Sequence, residues 1–425
     1  MIACPTAYLG LDGFDPRHSE RSLLVDERLF VSDDQRLIAI RIDGARREWE
    51  VPRAPTPPPG RHQVPRRTRS CGRQLWEGHG IVCQLLDGAD GVTLFAHQAS
   101  TGRELWRVEF PTPPPLPWTE VRPAWDGAST EELDAFLVTS DVLALAVART
   151  TRRTTRWPDH PAPEFHAQLE VTHVEPSDGS IVWTSSFPEI RVPILEKSRF
   201  AGWHVAGQRL GAIDWSTGAA LHLADLSGEP SWPRFHRERL AVATRLRGAV
   251  AVEHFDARTG ESLRRGEWRR TAVRNLNLFP CGNRAVLQVN DQLVALLADD
   301  LTPCWEARAK PYVYGIAATE SSPIFVCTSG NGGGLYAFDR RRGNVITEMR
   351  LRGGAWDPSH VDGTGIIASA CGDGLAVADG RNGKVEVVEM LGANAVAGSR
   401  DGHVVMLSGA PRPGVQVVDV RRVFG

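Results

Sequence analysis

Short apolar runs separated by polar turns recur along this chain, and from the middle onward their interval is nearly constant. The clearest copy is VTLFAHQASTGRELWRVEF, Val92 to Phe110, in which one strand reaches a polar turn closing on glycine and a second strand follows. Other copies are VTHVEPSDGSIVWTSSF from Val171, RLGAIDWSTGAALHLADL from Arg209 and AVEHFDARTGESLRRGEW from Ala251. LYAFDRRRGNVITEMRL from Leu335 and LAVADGRNGKVEVVEM from Leu375 continue the series, with weaker copies at Arg36 and Gln292. The turn glycines fall at Gly44, Gly102, Gly179, Gly218, Gly260, Gly343 and Gly383. From Gly179 the step is roughly 40 residues, the period of one four-stranded propeller blade, and a copy without glycine near Leu301 fills the one double gap.

Within each copy the apolar positions alternate with period two, as Leu94 and Ala96 do against Phe95 and His97, which predicts strands. The glycine supplies positive φ where a short hairpin needs it. Trp106 and Trp183 stand four residues after their turn glycines, and Trp49 and Trp305 hold nearly the same place. An aromatic there is expected to pack between neighbouring blades and to be structural. The best helix candidate is the short STEELDAF, Ser129 to Phe136.

The repeated phrase resembles the pyrroloquinoline-quinone-type (PQQ-like) propeller repeat, with its Ala-x-Asp-x-x-Thr-Gly-x-x-x-Trp signature, from about Arg28 to Met390. The resemblance implies an all-β fold and a single β-propeller domain over residues 1–425. Eight blades are expected, with seven or nine open. The C-terminal NAVAGSRDGHVVMLSG and GVQVVDV are expected to complete a blade shared with the N-terminus, with SLLVDE or RLFVSD as the pairing strand. Two segments break the period and read as inserted loops, at about 52–74 and 111–163. Inside the second, AFLVTSDVLALAVA looks like two buried strands.

Composition then narrows the function. Apolar content of 42% with 24% charge is an ordinary globular balance, and a net charge of −2 argues against a protein basic over its whole surface. The cations are nearly all arginine, which reads as a GC-rich bacterial genome. No run approaches the length of a membrane span, and the start lacks the pattern of a secretory leader. Seven cysteines without a CxxC pair point to a reducing cytoplasm.

Chemistry-bearing motifs are sparse. Quinone-dependent dehydrogenases of this repeat class would carry a leader, a vicinal cysteine pair and calcium-binding acids, none of which is visible, so no cofactor and no enzymatic activity are expected. Cys83, Cys327 and Cys371 read as equivalent small core residues. The scattered histidines, His97, His173 and His254 among them, show no metal spacing. The candidate contact residues are arginines of the two excursions. Arg61, Arg66, Arg67 and Arg69 lie in the first, and Arg149, Arg152, Arg153 and Arg156 with Trp157 in the second. Arginine beside tryptophan suits protein-interface anchors, and guanidinium forks also fit carboxylates and phosphates. The expected function is a non-catalytic protein-interaction scaffold within a bacterial multi-protein assembly, of a defence or conflict type. Two alternatives stay open: a lyase- or lactonase-like enzyme at the channel mouth, and a nucleic-acid-associated subunit using the arginine loops. No membrane partner is expected.

Overall fold

In the computed structural model the described residues are 7–11, 22–32, 36–52, 67–68, 75–87, 91–111, 129–138, 145–155, 164–187, 192–197, 201–206, 208–231, 234–236, 239–256, 259–270, 272–281, 284–297, 299–308, 313–318, 324–329, 334–352, 355–361, 364–372, 374–390, 393–408 and 413–424. Among them the strands form nine antiparallel sheets, and the sole helical element is a 3₁₀ turn at Val420–Arg422. Eight sheets follow one another along the chain, each built around a four-stranded meander, with a fifth short strand in blades 3 and 5. Blade 1 runs from Ser22 to Pro52, blade 2 from Leu75 to Pro111, blade 3 from Ser129 to Phe187 and blade 4 from Val192 to Asp225. Blade 5 covers Glu229 to Arg269, blade 6 Leu276 to Arg308, blade 7 Val313 to Arg350 and blade 8 Ala355 to Glu389. Blade 9 combines Ala393–Arg400, His403–Ser408 and Gly414–Asp419 with the N-terminal strand Ala7–Gly10.

The burial pattern explains why these sheets close into a ring. Inner strands such as Ile366–Cys371, Gly374–Asp379 and Gly414–Asp419 are buried at every position, whereas outer strands such as Val345–Arg350 alternate between exposed and half-buried. A sheet of that kind is covered on both faces, so each blade must be packed between two others. The hydrophobic core is accordingly divided into nine clusters, each shared by two consecutive blades. Leu29, Ile38 and Ile40 of blade 1 meet Val405, Leu407 and Val415 of blade 9 in the cluster that shuts the circle. The first strand of each blade lies nearest the axis: those of blades 6, 7 and 8 touch in series, and that of blade 1 touches those of blades 9 and 2.

The turn glycines and the tryptophans turn out to be two halves of one contact. The indole N–H of Trp49 donates to Ala99 O at 2.9 Å, that of Trp106 to Pro176 O at 2.9 Å, that of Trp183 to Trp215 O at 3.1 Å and that of Trp305 to Arg340 O at 2.9 Å. Each acceptor sits in the turn of the following blade, and each ring lies flat against that turn's glycine. A methyl group on Gly179 would stand 2.7 Å from the ring of Trp106. The glycine is thus required twice, for its φ of 78° and for the absence of a side chain. Where blade 5 places Arg264 instead of tryptophan, the next turn has Leu301, which takes a φ of 60° and is buried. His222 and Thr347 hold the tryptophan place ahead of Gly260 and Gly383.

Several expectations change here. The eight turn copies all become blades, and the ninth sheet is the closing blade, in which the strand beyond the turn comes from the other end of the chain. The termini share that blade, but Gly414–Asp419 pairs with Ala7–Gly10 (Ala7 opposite Val417, Leu9 opposite Val415), not with SLLVDE or RLFVSD. Those two segments are instead the inner strands of blade 1. STEELDAF is part of the strand Ser129–Val138 rather than a helix, since pairing along its whole length to Ala146–Thr155 overrides local helix propensity.

Candidate functional site

The sequence singled out two arginine-rich breaks in the repeat, and the fold brings both to one sheet. Arg67–Thr68 of the first excursion forms a short strand, added in parallel to Ser129–Val138 with Arg67 opposite Glu132 and Thr68 opposite Leu133. Because first strands face the axis, this fifth strand lies on the axial side of blade 3. Arg61, Arg66 and Arg69 lie outside the described residues.

The second excursion is structured over much of its length. Arg149, Arg152 and Arg153 belong to the strand Ala146–Thr155 and not to a loop; Arg156 and Trp157 lie outside the described residues. The first three strands of blade 3 have 10, 10 and 11 residues, against 6 for the corresponding strands of blade 6. The register sets Glu131 opposite Arg153 and Glu132 opposite Arg152, residues of opposite charge across the ladder. The fourth strand pairs only with Leu169–Val174. Blade 3 therefore extends as a ribbon, from Ser129–Leu133 through Thr151–Thr155 to Glu164–Gln168, beyond the part that its outer strand covers.

Arg149 marks the root of this ribbon and has a structural task. Its side chain is 7% exposed, pairs with Glu170, donates to Pro111 O and lies over the Phe110 ring at 5.4 Å. Burial pulls its pKa down to about 10, because the charged guanidinium has lost most of its water. Sequence reading missed Glu170, which carries no motif; it lies directly across the ladder from Arg149. Removing one partner of a buried ion pair strands the other. We expect Arg149→Ala to cost about 3–5 kcal/mol in urea unfolding, and Arg149→Met with Glu170→Leu to recover much of that loss.

The remaining candidates fall into packing roles. Cys83, Cys281 and Cys371 are free and buried. Desolvation raises the Cys83 thiol far above its ordinary range and pushes Cys281 up to about 12. Cys83, Cys327 and Cys371 are not equivalent, as their ladder partners Ala96, Tyr336 and Gly374 stand at different distances from their turns. His97 Nδ1–H donates to Gly102 O at 3.1 Å, and His173 meets the Trp183 ring at a tilt; burial lowers the pKa of both. In blade 5, Arg265 pairs with Glu267 and Arg270 with Glu306. Among the described residues no group of three or more His, Cys, Asp or Glu is placed to hold a metal ion, and no helix is long and apolar enough to cross a membrane.

The fold is a β-propeller, and part of its repeat matches a PQQ-type family model. Residues 167–355, which run from the third strand of blade 3 to the first residue of blade 8, match the family model described as Outer membrane protein assembly factor BamB. No curated protein matches the chain. Among solved structures, one described as the eukaryotic initiation factor is similar over 91% of this chain and 93% of its own, with a TM-score of 0.54 and 12% identity. Sqt1 of Saccharomyces cerevisiae is similar over 81% of this chain and 94% of its own (TM-score 0.48, 10% identity). A quinohemoprotein alcohol dehydrogenase from Pseudomonas putida is similar over 95% of this chain and 68% of its own (TM-score 0.40, 16% identity). At these identities the likeness is one of fold alone.

Proposed function

We propose that this propeller is a non-catalytic scaffold that holds another protein on the axial side of blade 3. One observation carries the reading: the two excursions that interrupt the repeat converge there, Arg67–Thr68 being hydrogen-bonded to the strand Ser129–Val138, whose hairpin partner carries Arg152 and Arg153. A rigid ring is a suitable mount for such a device, since its other blades fix the ribbon's position. Placement in the cytoplasm, as a subunit of a bacterial assembly of the defence or conflict type, belongs to the same proposal. The free buried cysteines fit a reducing compartment.

The test is capture from the native host with the intact chain and with a variant in which residues 54–72 are replaced by a Gly-Ser bridge. Long surface excursions contribute little to stability, so the variant should melt with the parent and lose its protein partner. Unchanged capture by the excised chain overturns the reading. Captured nucleic acid, released steeply between low and physiological salt, would favour the nucleic-acid alternative.

A further inference from the structure

The turns between third and fourth strands all open on one face of the ring, where they are hydrogen-bonded to the loops between first and second strands: Val420 N donates to Gly402 O, Gly380 N to Gly365 O and Ile42 N to Glu27 O. Charge on this face is divided by sector. Blades 7, 8, 9 and 1 are consecutive around the closed ring, and their turns present Arg341 and Arg342, Arg381 and Lys384, Arg421 and Arg422, and Arg46, all exposed. Across the ring the turns of blades 3, 5 and 6 present Asp178, Glu261, Asp299 and Asp300, also exposed.

The basic sector is built, not merely rich in arginine. Asp379 and Asp419 are buried at the base of their turns (side chains 3% and 7% exposed), and each grips its own arginine in a two-pronged contact. Arg381 reaches Asp379 at 3.0 and 2.9 Å, and Arg421 reaches Asp419 at 2.8 and 3.0 Å. These contacts hold the carboxylates below the usual range and set two guanidiniums as fixed posts that still project outward, 77% and 52% exposed. Asp339 spends its carboxylate on the backbone N–H groups of Arg341 and Arg342, whose side chains, like that of Arg46, make no ion pair among the described residues. The Lys384 ammonium lies 5.8 Å from the Phe424 ring, which ties the turn of blade 8 to the end of blade 9.

We propose that this four-blade arc docks an extended acidic segment of a partner protein, at a surface separate from the blade 3 ribbon. Arginine forks match carboxylates in geometry as well as charge, and one basic station per blade suits side chains met one at a time. A nucleic acid fits less well. The same arc also carries acids, Asp26, Asp43, Asp401 and Glu386, each paired with Arg400, Arg41 or Lys384. A phosphate backbone, charged at every step, would meet them too.

The experiment is fluorescence anisotropy on the full chain with labelled polyglutamate and labelled oligothymidylate at low salt. The parent should bind polyglutamate, and Arg46→Glu with Arg341→Glu and Arg342→Glu should weaken it by at least about tenfold while leaving the melting temperature in place. If that triple variant misfolds, Arg341→Ala with Arg342→Ala should still give a several-fold loss. Equal binding by a folded variant, no binding by the parent, or tighter binding of the oligonucleotide would each overturn the proposal.

Discussion

Deleting residues 414–425 should abolish soluble, cooperatively folding protein, whereas deleting residues 1–10 should leave a folded but less stable chain. The two segments lie side by side in blade 9 but at different depths. Gly414–Asp419 is the third strand, buried at every position, with Val415, Val417 and Val418 at most 3% exposed and Val420 beyond it fully buried. At about 1.5–3 kcal/mol each, those four valines alone approach the whole stability of an ordinary domain, about 5–15 kcal/mol. Their loss also strips the clusters shared with blades 8 and 1, so that the ring opens and unpaired edges are exposed. Ala7–Gly10 is an outer strand whose Tyr8 is 45% exposed, so removing it costs mainly ladder hydrogen bonds. Soluble yield and urea unfolding of the two truncations check this. Similar yields from both would mean that the ring does not depend on the C-terminal strand.

The second large effect concerns the tryptophan–glycine contacts, where three glycine and tryptophan variants separate backbone strain from packing. Gly44 has a φ of 75° and nothing within 4 Å of an added methyl, so Gly44→Ala should cost about 1 kcal/mol, the strain of a side chain in the left-handed region. Gly179 has nearly the same φ, but its methyl would stand 2.7 Å from the Trp106 ring. Gly179→Ala should therefore cost about 2–4 kcal/mol, strain and overpacking together. Trp106→Ala should cost about 3 kcal/mol through lost burial and its indole hydrogen bond. Combined in one chain, the two should fall short of additivity, because without the ring the methyl has space and only the strain remains. A strictly additive double variant would show that the ring and the glycine do not share a contact.

Much of this architecture is legible in the residues, and the parts that are not have physical reasons. The turn glycines advertise seven blades, and the spacing an eighth at Leu301, because a hairpin with positive φ leaves a recurrent residue. The closing blade leaves no such mark. Its turn is Asp419 to Val423, with Asp419 accepting from Arg421 N as Asp379 does from Arg381 N, but the position of the glycine is filled by Val423 in a right-handed conformation. The fourth strand of this blade is Ala7–Gly10, so the turn does not have to close a hairpin and nothing demands the glycine. The strand that completes the blade, AYLG, is too short to show alternation, and the stronger patterns at Ser22–Val25 and Arg28–Ser32 drew the pairing to themselves. Arg149 was legible as charge but not as burial. Its run of Arg and Thr has no apolar period, and its carboxylate arrives from the neighbouring strand. The convergence of the two excursions on blade 3 is a tertiary fact that neither segment encodes alone.

Amide hydrogen exchange on the captured complex tests whether a protein partner is held at the axial side of blade 3. Binding should slow exchange in Arg67–Thr68, Ser129–Leu133 and Thr151–Thr155, with the outer strands of blades 4 to 7 unchanged. Protection confined to those outer strands, with the blade 3 ribbon exchanging as freely as in the isolated chain, would contradict it.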